Sequence, residues 1–97
     1  MRRDLALSIL RSHLPELIRL GVRSLSLFGS VARDQATEGS DVDVLVDLAQ
    51  PMGLFSFIGF QQRLEELHGR PVDLVPLDGI RPRLREVILA EALPVAV

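Results

Sequence analysis

Ninety-seven residues, 47% hydrophobic and 25% charged, describe one globular domain, residues 1–97, with too little chain for two independent cores. A net charge of −2 supplies no basic footprint for double-stranded nucleic acid, and no apolar run reaches the ~18–20 residues that cross a bilayer. Cysteine is absent, which removes disulfides and thiolate metal sites and fits a cytoplasmic setting.

The chain opens on MRRDLALSILRSHL, whose charged start is shared with secretory signals. Asp4, Arg11 and His13 interrupt the apolar run and no cleavage site follows, so the segment reads as an amphipathic helix. Leu7, Leu10, Leu14 and Leu17 recur at helical spacing, and Pro15 inside that pattern predicts a kink or a split near His13. Gly21 is placed to end the segment. Val22–Phe28 alternates as a first strand, and Gly29-Ser30 then opens a short helix-like SVAR.

Val42–Leu48 is a second strand, with Val42, Val44 and Val46 on one face and Asp41, Asp43, Leu45 and Asp47 on the other. Pro51 and Gly53 precede a helix from about Leu54 to His68, which Gly69 ends. Phe57, Phe60, Leu64 and Leu67 form its core stripe. Phe55 is grouped with Phe57 and Phe60 as mostly core, and any of this segment left exposed suggests an interface or one wall of an adenine pocket. A third strand covers about Val72–Val75, and a last helix from Pro82 turns Leu84, Val87, Ile88 and Ala92 inward. LPVAV ends the chain as a short strand or a frayed tail. Alternating strands and helices imply an α/β domain, a small mixed sheet with helices packed on one face and the other face free for a site.

Asp41 and Asp43 are unusual strand residues, because a half-buried pleated surface desolvates a carboxylate. At i and i+2 they share a face, ~7 Å apart, and repel unless a cation lies between them. Mg²⁺ takes one or two carboxylates plus phosphate oxygens, which such a pair can satisfy. An exposed strand start produces the same pattern without a metal. Asp73, inside the apolar PVDLVP, joins the pair if the third strand lies beside the second. Asp47 shares the face but lies ~13 Å from Asp43 along the strand and reads as a strand terminator. Gly29 allows close backbone approach to a ligand, and Ser30 adds a hydroxyl beside free N–H groups suited to phosphate, although Gly-Ser at a strand end is also an ordinary turn. Arg33 either touches phosphate or lies on the surface, and Ser40 is a turn residue or a ligand. His13 and His68 share no metal-ligand spacing, and His68 suits a helix C-terminus. Arg81, Arg83 and Arg85 form a basic cluster that is either a solvated face or a docking surface for an acidic partner.

Gly29-Ser30, ten intervening residues and Asp41-Val-Asp43 resemble the signature of the DNA polymerase β-like nucleotidyltransferase superfamily. LFGSVARDQATEGSDVDVLVDL and RPVDLVPLDGIRPRLREVILAEAL are similar to its minimal branch, the MNT-type antitoxins. The family motif commonly continues Ser-x-Ala-Arg-Gly, whereas Asp34 follows Arg33 here. The resemblance implies a polymerase β-like fold, two Mg²⁺ ions held by Asp41, Asp43 and Asp73, and the triphosphate of ATP at Gly29 and Ser30. It implies AMP transfer to a hydroxyl, a tyrosine on a HEPN-domain toxin, with this protein as the antitoxin assembled with that partner. The chain has no tyrosine, so tyrosine self-modification is excluded. Two other functions fit the same residues: an antitoxin that only occludes its partner, and an adenylyltransferase for a small molecule, whose relatives usually add a second domain.

Overall fold

The computed structural model describes residues 2–37 and 39–95. Pro15 decides how the chain begins. Helix α1 (Arg3–Ser12) stops, and α2 (Leu14–Arg19) restarts with Pro15 in its first turn, where a missing N–H breaks no intrahelical bond. The expected kink or split is a split, and it leaves Leu7, Leu10, Leu14 and Leu17 all buried.

Strand β1 (Val22–Phe28) leads into the short α3 (Gly29–Ala32), followed by β2 (Val42–Leu48), α4 (Leu54–His68) and β3 (Val72–Pro76). A single 3₁₀ turn at Leu77–Gly79 leads to α5 (Pro82–Glu91) and the two-residue β4 (Leu93–Pro94). The sheet is four-stranded and mixed, in the order β3-β2-β1-β4, with β2 and β3 parallel and the other pairs antiparallel. The expected terminal strand is therefore present, while residues 96 and 97 of LPVAV lie outside the described residues. Val22, Leu25 and Leu27 break strict alternation, yet all three are buried, because the register shifts between Val22 and Ser24.

Val42, Val44 and Val46 pack with Leu25, Leu27, Val72 and Leu74 against α1, α2 and α4. From α4 come Phe60 and Leu64, with Phe57 and Leu67 at the margin, so the expected stripe holds. Phe55 departs from it: it is 88% exposed, one position off the inward face of α4. Arg63 ties α4 to α2 through paired bonds to Glu16, at 3.0 and 3.3 Å. His68 is buried at the end of α4, where its Nδ1 donates to the Leu64 carbonyl oxygen at 2.8 Å. No described helix is long and apolar enough to cross a membrane.

The second sheet face is not left bare. Phe28, Leu45 and Ile80 form a small separate core there, against which Ile88 of α5 and Ala92 just after it pack. Leu84 and Val87, expected inward, are 53% and 62% exposed, and α5 buries no residue fully. This helix meets the sheet through one narrow line of side chains, because the acidic residues beside Leu45 offer it no wider apolar surface.

Candidate active site

Strand register assembles the site. Phe28 pairs with Asp43 across β1 and β2, and Asp43 pairs with Asp73 across β2 and β3. The even spacing of inward valines forces Asp43 onto the outer face, and the parallel pairing of β3 brings Asp73 alongside. Asp41 lies just before β2 and is exposed. Helix α4 fixes where β3 begins: Glu65 accepts from the Val72 N–H at 3.1 Å, and Gln61 donates to the Val72 carbonyl at 2.9 Å. Both bonds hold Val72, the residue before Asp73, so the position of Asp73 is set by the helix as well as by the sheet.

Asp43 is half-buried, and its carboxyl is pushed up to about 6 from an ordinary 3.8, first by burial and then by the Asp73 and Asp41 carboxylates. Arg33 pulls it back down, and Glu91 adds to the push. Three carboxylates thus feel one another with little positive charge to offset them, a donor set that suits a hard divalent cation. Among the described residues no three His, Cys, Asp or Glu side chains form a ready-made metal cage. Mg²⁺ does not require one, since it completes its shell with phosphate oxygens and water.

Gly29 touches this cluster directly. Its φ is +74°, and a Cβ placed there would fall on Asp43 Oδ2 and within 2.9 Å of Asp43 Cγ. Only glycine combines that backbone conformation with that contact. The turn ends at Asp34, whose φ of +59° lies in the left-handed region, and its carboxylate accepts from the backbone N–H of Arg3 at 3.1 Å. Aspartate is one of the few residues besides glycine that visit this conformation, which explains how it stands where related motifs carry glycine.

Ser40 shapes the loop before β2. Its Oγ accepts from the Thr37 N–H at 2.9 Å, and its carbonyl accepts from Arg70 at 3.3 Å. Asp47 lies away from the cluster, with Oδ2 3.6 Å from Arg23 Nη1.

One residue of the site has no signal in the sequence. Glu91, at the end of α5, accepts the Gly29 N–H at 3.3 Å and the Arg33 guanidinium at 2.8 Å. A carboxylate from a distant helix thus occupies the Gly29 N–H and the Arg33 guanidinium, two donors that the sequence offers as candidates for phosphate. Arg33 also donates to Gln35 at 3.2 Å and lies on the surface.

A family model described as a nucleotidyltransferase domain matches residues 7–95. The chain belongs to that family. This nucleotidyltransferase is 42% identical over 87 residues to the protein adenylyltransferase MntA of Thermococcus cleftensis, with 89% of this chain and 88% of the relative covered. It is also similar to a solved structure described as a minimal nucleotidyltransferase, with a TM-score of 0.84, 37% identity, and 97% and 96% of the two chains covered. A chain from a solved complex of a tri-AMPylated HEPN toxin with an MNT antitoxin, from Shewanella oneidensis, superposes with a TM-score of 0.64. There the identity is 19%, covering 97% of this chain and 71% of that one, so the likeness concerns the fold.

Proposed function

We propose that this nucleotidyltransferase moves AMP from ATP to a tyrosine hydroxyl of a HEPN-type toxin, and thereby acts as the antitoxin of the pair. The observation that carries the reading is the row Gly29, Asp43, Asp73, which sets a phosphate-compatible turn, a crowded carboxylate and a second carboxylate side by side on one sheet face. The MntA relative and the AMPylated toxin in the S. oneidensis complex support the same direction. Asp41, Asp43 and Asp73 would hold Mg²⁺, two ions in the fullest form, which in this chemistry neutralises triphosphate charge and lowers the pKa of the acceptor hydroxyl.

The chain's own residues divide the remaining work. The Gly29 N–H and the Ser30 hydroxyl receive the triphosphate, and Arg33 adds charge once it leaves Glu91. The acceptor oxygen forms a bond to the α-phosphorus while the bond from that phosphorus to the bridging oxygen breaks. Pyrophosphate departs with the electron pair, and the hydroxyl proton passes to Asp73. Catalysis is then chiefly positioning and charge stabilisation.

The test uses ATP labelled at the α-phosphate, with γ-labelled ATP as control, Mg²⁺, and a host-cell extract. A protein labelled only from the α-position by the unmutated chain, and not by Asp41→Asn/Asp43→Asn, is the expected result. No label, together with full protection of cells by that double variant at equal expression, overturns it in favour of occlusion.

Glu91 gives a second expectation. Glu91→Gln removes a negative charge beside the triphosphate site and frees Arg33, so nucleotide affinity should rise several-fold, on the order of 1 kcal/mol. Titration with AMP-PNP and Mg²⁺ checks it, and unchanged or weaker binding would show that Glu91 supports the turn rather than competing with phosphate.

A further inference from the structure

Beside Asp73 a cleft of about 340 Å³ opens between β3 and α5, lined by Phe28, Val75, Ile80, Leu84 and Ile88, with Asp73 and Arg81 as its charged groups. We propose that this cleft is the acceptor subsite, and that it seats the aromatic ring of a tyrosine with the phenolic hydroxyl at Asp73. The inference rests on the AMP-transfer reading and adds which residues select the acceptor.

Three observations favour this occupant. First, the strand order places Gly29 on β1's side of Asp43 and Asp73 on the opposite side. In-line displacement needs the attacking oxygen opposite the departing pyrophosphate, so with phosphates at Gly29 the acceptor enters from Asp73's side. The nucleoside hangs laterally from the α-phosphorus and does not lie on that line. Second, the lining matches a phenol better than an adenine. Phe28, Ile80 and Ile88 give apolar walls, and a single carboxylate stands where one hydroxyl would be. Adenine presents several donors and acceptors on its edge, and among the described residues no Ser, Thr, Asn or Gln lines the cleft to pair with them. A serine or threonine hydroxyl, carried on one carbon, would leave the apolar walls unfilled. Third, the mouth is prepared for protein: Leu84, Val87 and Leu89 of α5 are exposed, and Arg81 and Arg83 line an adjoining surface recess of about 290 Å³. The acceptor phenol forms its new bond to the α-phosphorus, loses its proton to Asp73, and leaves with AMP attached as pyrophosphate departs.

Amide NMR of the full 97-residue chain tests binding without relying on turnover. N-acetyl-L-tyrosinamide should shift Ile80, Arg81, Leu84 and Ile88, and N-acetyl-L-serinamide should not. AMP-PNP with Mg²⁺ should instead shift residues 29–33. Leu84→Trp, on the exposed wall of the cleft, should weaken tyrosinamide binding about tenfold and leave AMP-PNP affinity within about twofold. Displacement of tyrosinamide by adenosine, equal loss of both ligands in Leu84→Trp, or no shift with tyrosinamide would each overturn the assignment. The transfer reading is judged separately by α-label incorporation, so a chain that labels protein but ignores tyrosinamide sinks only the subsite.

Discussion

Asp43→Asn is expected to stabilise the fold while abolishing transfer. Asp43 titrates near 6 in the folded protein against 3.8 ordinarily. Between those values the native state holds a proton that the unfolded chain has released, so stability falls as pH rises through the window. Above about pH 6 the full penalty of an ionised, crowded carboxylate persists. The shift sets a ceiling of about 3 kcal/mol, and solvent screening of a half-exposed side chain reduces it to about 1–2 kcal/mol. The amide removes the charge, so the variant's advantage in urea melts should be near zero at pH 4, grow up to pH 6, and level off by pH 8. Transfer should drop by about two orders of magnitude or more, as expected when a group that organises developing charge is lost. Mg²⁺ with AMP-PNP should raise the stability of the unmutated protein and much less that of the variant. An advantage of equal size at pH 4 and pH 8 would show that packing, and not charge, limits stability at this position.

That prediction rests on a residue the sequence already exposed, because aspartate at alternate positions in a valine strand has few physical explanations. The strands, the split at Pro15 and the main core were legible for the same reason: each is encoded by neighbours in sequence, through period, proline and glycine. Asp73 beside Asp43 was legible only as a condition on strand order, which β2 and β3 satisfy. What sequence did not reveal is tertiary. Leu84 and Val87 have the spacing of an inward face, yet the sheet under α5 is largely acidic or already covered, so tertiary context overrides the pattern. Phe55 is apolar enough to suggest core and sits one position off the buried stripe. Glu91 meets Arg33 across 58 residues of chain, and no local pattern announces such a pair.

The second large effect is expected at Gly29, where adding one methyl group should cost as much as a modest core truncation. Gly29→Ala places a Cβ against Asp43 Oδ2 and Cγ, and 3.2 Å from Asp43 Cβ, in a backbone held at φ +74°. The left-handed conformation alone costs alanine roughly 1–2 kcal/mol. The contact adds a further share, because Asp43 must rotate away or β1 and β2 must part, for a total of about 2–3 kcal/mol. The two shares can be separated. In a double-mutant cycle with Asp43→Ala, the contacts with Oδ2 and Cγ disappear while the 3.2 Å approach to Cβ and the backbone penalty stay, so the pair should couple by about 1 kcal/mol. Additive losses would mean that Asp43 swings clear freely and that the glycine is there for its backbone alone. A coupled result ties the Gly29 turn to the carboxylate row as one mechanical unit: the residue we propose to receive phosphate also sets the position of Asp43. Gly29→Ala should then lose transfer even under conditions where it remains folded, since moving Asp43 would disturb the proposed cation site and acceptor geometry together.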